Sequence, residues 1–353
     1  MPALDGLRAV AVALVFVTHA FPSTTFPGGL GVDVFFVISG FLITLILLRQ
    51  WRRHLTIRLK RFYFGRLVRL YPPLIAMVVV FASLYAFLPS SALHSIFNAV
   101  IALTHTGNIV ATLTSQDLGY FAHTWSLAME EQFYLVWPLL LVVMLQTNMR
   151  RRWMIVVTVV IATASMVGWV LTGDVLPYNP LTKAGGILLG CAMAIALEHV
   201  PSAAKGQAVA WAGIAVFCTA FVGESLGWFT RGLSLPIAVL GILPVVLHCA
   251  TGRSVIVSAL SLRPIVYLGL VSYELYLWHY PVLMLFRRVI PADGWVIIAL
   301  GAAVSVGLAA ATRSFLEQPA LAWRDRFLAR RAPVSTAPPA PVRDRAVVTT
   351  TGR

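Results

Sequence analysis

The chain has 353 residues, of which 59% are hydrophobic and 11% are charged, and its formal net charge is +14. Soluble domains contain about 45–50% apolar and about 25% charged residues, so this composition excludes a soluble globular protein, a disordered chain and a disulfide-stapled fold. It predicts an integral membrane protein, in which basic loops between apolar spans account for the positive charge and nucleic-acid binding is not expected.

Ten stretches of the chain are apolar and long enough to cross a bilayer as helices, which takes about 20 residues each. The segment near 94–113 is more polar, since it holds two histidines and two asparagines, and we interpret it as a re-entrant or interfacial helix. The predicted fold is therefore an all-α bundle of about ten transmembrane helices, with eleven as the alternative count. The ten spans are expected at roughly 6–22, 30–48, 72–89, 123–145, 153–172, 181–199, 207–223, 232–250, 265–288 and 295–313.

Basic loops fix the predicted orientation. Residues 49–70 carry eight Lys and Arg residues and no acid, and residues 150–152 are a second basic run. Cytoplasmic loops are enriched in such residues, so both loops, and with ten crossings both termini, are expected on the cytoplasmic side of the plasma membrane. Residues 1–325 are the predicted membrane domain. Residues 326–353 are a basic tail rich in Pro, Ala and Thr, which we expect to be disordered.

Arg8 and His19 lie within the first span, where ionisable groups are costly and indicate a functional site by default. Eleven residues amount to three helical turns plus about 20°, so the two side chains share one face, about 16 Å apart along the axis. A neutral imidazole in such a site is a competent general base. The alternatives are a snorkelling arginine and a histidine that only makes a structural hydrogen bond.

Asp33 lies at the start of the second span, directly after the glycine-rich run 28–31. Its carboxylate would orient His19 or pair with an arginine. The alternative is a carboxylate stabilised by the positive end of its own helix.

Arg66 and Arg69 follow in the basic loop, immediately before Tyr71-Pro72-Pro73. Residues three apart share a helix face, and two guanidinium groups at the cytoplasmic edge of the membrane would form a phosphate clamp. Ordinary positive-inside charge is the alternative interpretation.

Two later spans each place polar side chains on one helical face, at 100° per residue. Intramembrane acids are hard to explain by packing alone, so both faces are candidate parts of a site. The face in span 123–145 consists of His123, Ser126, Glu130, Tyr134 and Trp137, with Glu131 off its centre. The face in span 265–288 consists of Ser272, Tyr276 and His279.

Together these segments resemble, in the same order, the signature motifs of the acyltransferase-3 family of bacterial membrane O-acyltransferases. One such motif alone would be weak, but six in order make a chance match implausible. The matching segments are Arg8-x10-His19, Gly31 to Ile43, Arg66-x-x-Arg69 with Tyr71-Pro72, His123 to Leu127 with Glu130 to Tyr134, Ser272-Tyr273 with Tyr276 to His279, and Glu317-Gln318-Pro319.

The resemblance implies transfer of an acyl group, often acetyl from acetyl-CoA, to a hydroxyl of a carbohydrate, glycolipid or macrolide-sugar acceptor. Acyl-CoA would be a co-substrate, and neither a metal nor a permanently bound cofactor is expected. The rival hypothesis is a transporter or flippase for a sugar or glycolipid, because intramembrane His, Arg and Glu also line transport pathways.

The expected roles fall into three groups. The phosphates of the donor would bind Arg8, Arg66 and Arg69. Proton transfer would be carried by His19, oriented by Asp33 or Glu130. Contacts to the substrate or to the oxyanion of the transition state would come from His123, Ser126, Tyr276 or His279.

Two positions depart from the family pattern. Lys183 stands where members commonly carry an arginine, and a lysine cannot make the bidentate fork of a guanidinium. Glu274 stands where a small residue is common, and the sequence offers no physical account of this extra acid.

Overall fold

The computed structural model describes residues 1–22, 24–86, 92–114, 118–173, 175–290 and 294–330. Within these ranges all regular secondary structure is helical, which confirms the predicted all-α class. The α-helices are α1 Pro2–Ala20, α2 Gly29–His54, α3 Leu59–Ala86, α4 Ala92–Leu103, α5 Gly107–Thr114, α6 Trp125–Gln146, α7 Arg151–Thr172, α8 Pro180–Lys183, α9 Gly185–Ala196, α10 Gln207–Ser225, α11 Arg231–Thr251, α12 Val255–Leu260, α13 Arg263–Leu270, α14 Ser272–Val289, α15 Gly294–Thr312 and α16 Gln318–Arg330.

Eight helical segments in the described part of the chain are long and apolar enough to cross a membrane. They support a multi-pass membrane protein, while the exact number of crossings stays a prediction. The eight segments contain α1, α2, α3, α6, α7, α10, α11 and α15, of which α6 is extended by a 3-10 turn at Gly119–Thr124 and α15 continues through a π turn at Arg313–Glu317 into α16.

Two of the predicted spans are interrupted. The stretch 181–199 contains α8 and α9, which meet at Ala184, and the stretch 265–288 contains α13 and α14, which meet at Val271. Broken helices occur at membrane depth only where protein covers them or where they line a cavity. The polar residues beside the breaks, Lys183 and Ser272, are buried in the protein, so these breaks are candidate parts of a site.

The segment 94–113 also contains two helices, α4 and α5, and His105 between them has a left-handed φ of 53°. Gln132 of α6 stabilises this junction. Its amide nitrogen donates to the His105 carbonyl at 2.8 Å and to Asn108 Oδ1 at 2.8 Å, while Asn108 Nδ2 donates back to Gln132 Oε1 at 3.0 Å. These contacts explain how polar residues fit inside the bundle. The depth of the segment in the bilayer stays a prediction.

The central helix is α2, since 78% of its spanning stretch is buried. It packs closely against α9, because a Cβ atom added at Gly40 or Gly190 would collide with the backbone of the facing helix. Small residues allow membrane helices this close approach. Since α1 packs against α2, the helix that carries Arg8 and His19 also lies at the centre.

The two basic runs meet at one end of the bundle, which we call the basic end. Arg52 at the end of α2 and Arg151 at the start of α7 both pair with Glu198, which follows α9. The hydrogen bond from Arg151 is the main cause of a lowered pKa for the exposed Glu198 carboxyl. Both runs therefore face the same side, and the assignment of that side to the cytoplasm stays a prediction.

The predicted boundary at 325/326 falls within α16, which ends at Arg330. Residues 331–353, most of the predicted tail, lie outside the described residues.

Candidate active site

A chamber of about 640 Å³ lies at the end of the bundle opposite the basic end. The last turn of α1, the turn before α6 and the middle of α14 all contribute to it. Predicted site residues in its lining are His19 and His123, and residues that were not predicted include Trp125, Tyr280 and Arg287.

His19 contacts His279 directly, and this contact together with the Tyr276 carbonyl sets the tautomers of both rings. His279 Nδ1 lies 2.6 Å from the Tyr276 carbonyl oxygen, which can only accept, so Nδ1 carries the hydrogen. Nε2 of a neutral His279 is then an acceptor. His19 Nδ1 lies 3.1 Å from it and must therefore donate. The remaining lone pair of His19 is on Nε2, the nitrogen that a general base in the chamber would use.

His123 is held in the opposite tautomer. Its Nε2 lies 3.1 Å from the Leu277 carbonyl and donates to it, so the lone pair is on Nδ1. That atom is buried and has no hydrogen-bond partner among the described residues. The ring centroid of His123 lies 5.1 Å from that of Tyr280 and 5.7 Å from that of His279. His279 and Tyr280 thus lie beside His19, and His123 packs against both of these rings.

Ser126 and Tyr276 lie beneath the chamber. The Tyr276 hydroxyl donates to the His123 carbonyl at 2.7 Å, so it accepts from Ser126 Oγ at 2.6 Å. Both hydroxyl hydrogens are therefore committed to protein partners. The two residues support His123 from below instead of facing the chamber.

A small cavity of about 50 Å³ lies on the far side of that hydrogen-bonded pair. Arg8 and Glu130 both line it, and they interact electrostatically. Glu130 also accepts hydrogen bonds from Ser39 and Tyr134. Glu130 therefore lies at the level of Arg8 and is not hydrogen-bonded to His19.

Asp33 pairs with Lys183, which is the residue that departs from the family pattern. The ammonium nitrogen lies 3.4 Å from Asp33 Oδ1 and 3.5 Å from Oδ2, and 4.1 Å from the centroid of the Trp169 ring. The lysine therefore forms an ion pair at this position without a bidentate fork. The structure places His279, and neither Asp33 nor Glu130, in hydrogen-bonding contact with His19.

Arg66 and Arg69 each have a carboxylate partner. Arg66 Nη2 lies 2.9 Å from Glu131 Oε1, and its guanidinium lies over the Tyr134 ring, 3.4 Å from the centroid. Arg69 Nε lies 3.1 Å from Glu317 Oε1, and its side chain remains 43% exposed. Arg69 also interacts electrostatically with Arg8, so the three predicted donor-binding arginines lie in one region of the bundle.

Two residues that sequence reasoning missed complete the chamber. Arg287 Nη2 donates to the carbonyl oxygens of His19 at 2.5 Å and Ala20 at 2.8 Å, and thereby holds the last turn of α1. The Tyr280 ring lies 4.8 Å from that of His19. Two features of the sequence could have identified them: Arg287 is a basic residue in the last turn of α14, and Tyr280 directly follows His279.

No group of three or more metal-ligating side chains occurs in the described ranges.

Comparisons with known proteins agree with the motifs. The model of an acyltransferase domain family matches residues 1–313. The chain is 33% identical over 315 residues to the peptidoglycan O-acetyltransferase of Listeria monocytogenes, covering 81% of this chain and 50% of that protein. It is 33% identical over 314 residues to an O-acetyltransferase of Staphylococcus aureus, covering 80% of this chain and 51% of that protein.

A third relative is the putative peptidoglycan O-acetyltransferase of Bacillus subtilis, which is 32% identical over 360 residues, covering 94% of this chain and 56% of the relative. The chain thus spans about half the length of the curated relatives it matches. No solved structure matches it.

Proposed function

The chain belongs to the acyltransferase domain family, and from that premise we propose that it moves an acetyl group from acyl-CoA to a hydroxyl of a carbohydrate acceptor. Two of the relatives are named as acting on peptidoglycan, which makes an envelope glycan the first acceptor to test. The single observation that carries the proposal is the His19–His279 hydrogen bond at 3.1 Å, because it leaves a basic nitrogen on the wall of a ligand-sized chamber.

In the proposed reaction, His19 Nε2 takes the proton of the acceptor hydroxyl while the hydroxyl oxygen attacks the thioester carbonyl. The C–S bond then breaks, and the thiolate of CoA recovers the proton from His19. The positive charge that develops on His19 is stabilised through its Nδ1–H by the lone pair of His279. General base catalysis of this kind contributes about 10²–10⁴ in rate.

The donor would approach from the basic end. Arg66 and Arg69 lie where the phosphates of acyl-CoA would reach them from the cytoplasm, and Arg8 lies deeper on α1 beside the small cavity. The acyl arm would pass along α1 toward His19, about 16 Å farther along the helix. The Ser126–Tyr276 pair stands between the small cavity and the chamber, so its hydroxyls would contact the arm as it passes.

Asp33 and Glu130 act indirectly in this scheme. Glu130 interacts with Arg8 and would keep its guanidinium in place for the donor. Asp33 neutralises Lys183 at the side of the chamber. The His123 ring lines the chamber while its Nδ1 is buried, so the ring would pack against the substrate and would not donate a hydrogen bond to an oxyanion.

The test is consumption of acetyl-CoA by the purified full chain in proteoliposomes, with soluble peptidoglycan fragments on the side of the chamber. We expect release of free CoA that depends on both substrates, together with acetyl ester on the glycan. A transporter would move the glycan or glycolipid and release no CoA, and that result would reject the proposal.

A further inference from the structure

A side arm of about 230 Å³ opens from the chamber toward α8 and α11. Thr18, Phe26, Trp125, Tyr178 and Arg231 belong to the linings of both spaces, so the arm and the chamber are continuous. In the reaction proposed above, the acceptor occupies only the chamber, at His19. The arm is therefore a part of the same cavity system that still has no assigned ligand.

The wall of the arm is aromatic. The ring centroids of Trp125 and Tyr178 lie 5.2 Å apart at an interplanar angle of 50°, where arm and chamber meet. The Trp169 ring lies farther in, beneath the ammonium of Lys183. Aromatic side chains supply large, rigid contact surfaces with a polar edge, and the C–H face of a pyranose ring packs against such surfaces.

The floor of the arm is an ion pair with spare hydrogen-bonding capacity. Asp33 and Lys183 are 2% and 7% exposed, yet their closest approach is 3.4 Å, longer than the usual 2.7–2.9 Å of charge-assisted hydrogen bonds. The ammonium has three donors and the carboxylate about four acceptor sites. A ligand hydroxyl can therefore accept from Lys183 and donate to Asp33 without breaking the pair.

The mouth of the arm is polar but nearly neutral. Glu224 accepts a hydrogen bond from Ser234 and lies 3.8 Å from Arg231, whose side chain is 67% exposed. Two acids thus offset two bases along the arm. Because these charges cancel, the arm does not favour a charged ligand. The same side chains offer hydrogen-bond donors and acceptors to neighbouring hydroxyl or amide groups of an uncharged ligand.

We propose that the arm is a second sugar subsite, so that the acceptor is an oligosaccharide and not a single sugar. One ring would present its hydroxyl to His19 Nε2 in the chamber. The next ring of the same chain would pack against Trp125 and Tyr178, with its hydroxyls over the Lys183–Asp33 pair. The inference rests on the proposed carbohydrate acceptor and adds a minimum length to it.

The experiment compares N-acetylglucosamine with its β-1,4-linked tetramer. Binding to the full chain in nanodiscs is measured by tryptophan fluorescence without an acyl donor, since Trp125 and Trp169 line the arm. KM is then measured with acetyl-CoA. We expect the wild-type chain to prefer the tetramer, and Tyr178→Ala to reduce this preference about three- to tenfold, the size of one aromatic contact. Asp33→Asn should reduce it as well.

Trp228→Ala is the matched control, since Trp228 is 72% exposed and lines neither space; it should keep the wild-type preference. If Tyr178→Ala does not fold, Tyr178→Leu keeps the bulk and removes the aromatic face. Equal affinity for monomer and tetramer would overturn the proposed subsite, and so would an unchanged preference for the tetramer in both the Tyr178 and the Asp33 variants. Neither result would affect the proposed acetyl transfer. Absence of CoA release with every acceptor would instead reject the proposed reaction, and the binding data would still report on the arm.

Discussion

His19 Nδ1 lies 3.1 Å from His279 Nε2, and the two residues are separated by 260 positions in the chain. Because His279 Nδ1 is committed to the Tyr276 carbonyl at 2.6 Å, the direction of every hydrogen in this chain of contacts is fixed. In the proposed reaction, His279 would have the place that a carboxylate has in many catalytic triads: it would orient the imidazole and stabilise its charged form.

In the proposed reaction this contact gives His279 a positioning role, and substitution tests that role. His279→Leu removes the acceptor for His19 Nδ1–H and should lower kcat by roughly 10²-fold. His279→Gln retains an acceptor oxygen, so its kcat should be at least about tenfold higher than that of His279→Leu. The measurement is the rate of CoA release by correctly inserted protein. Equal activity of the Leu and Gln variants would show that the residue only fills space.

A second prediction concerns donor binding at Arg69. Charge-assisted hydrogen bonds are worth roughly 1.5–3 kcal/mol, so Arg69→Ala should weaken acyl-CoA binding about 10–150-fold. Arg69→Lys should rescue only partly, because it keeps the charge and loses the fork. Affinity is measured by equilibrium binding of acetyl-CoA to protein in nanodiscs.

Arg61→Ala is the matched control for Arg69. Arg61 is an exposed arginine at the start of the same helix, and its loss should leave acyl-CoA affinity unchanged. Wild-type affinity in both Arg69 variants would identify Arg66 and Arg69 as topology signals, and the donor site would have to lie elsewhere.

A third prediction concerns Glu274, the acid that departs from the family pattern. It is 1% exposed, its two carboxylate oxygens have no hydrogen-bond partner among the described residues, and it interacts with the carboxylate of Glu317. Two carboxylates that share a buried site repel each other, so the neutral side chain of Glu274→Gln should raise the thermal unfolding temperature. Glu198→Gln, which removes two exposed ion pairs, should change stability by at most about 1 kcal/mol per pair. A lower unfolding temperature for Glu274→Gln would contradict this prediction and show that the carboxylate of Glu274 stabilises the fold.

A fourth prediction concerns orientation. In a Cys218→Ser background, a membrane-impermeant maleimide should label Trp228→Cys in intact cells and Arg151→Cys only after permeabilisation. Arg151 lies at the basic end, and Trp228 lies in the loop after α10 near the chamber. Cys191 and Cys249 are buried and should not react. Labelling of Arg151→Cys from outside would reverse the assignment of the basic end to the cytoplasm.

The sequence was sufficient for the parts of the fold that depend on local composition. Apolar length predicted the all-α class. The polar residues of 94–113 set that segment apart from the spans, but the break at His105 was not predicted. The breaks at Ala184 and Val271 were not predicted, because hydropathy continues across both positions. Helical periodicity correctly placed Ser126 and Tyr134 on the face of Glu130, since side chains three or four apart are neighbours.

Partners between distant helices could not be predicted from spacing. Asp33 was expected near His19 or an arginine, and the structure pairs it with Lys183, 150 residues away. His19 pairs with His279 instead of a carboxylate. Such contacts depend on how α1, α2, α8 and α14 pack, and periodicity within one helix contains no information about its neighbours.

The most direct test of the account is the effect of His19→Ala on acetyl-CoA consumption in proteoliposomes with a glycan acceptor. The matched control is His54→Ala, which replaces an exposed histidine at the end of α2. We predict that His19→Ala lowers CoA release by about 10²–10⁴ while the protein still inserts, and that His54→Ala keeps the wild-type rate. Near-normal turnover by inserted His19→Ala would contradict the assignment of His19 as the general base.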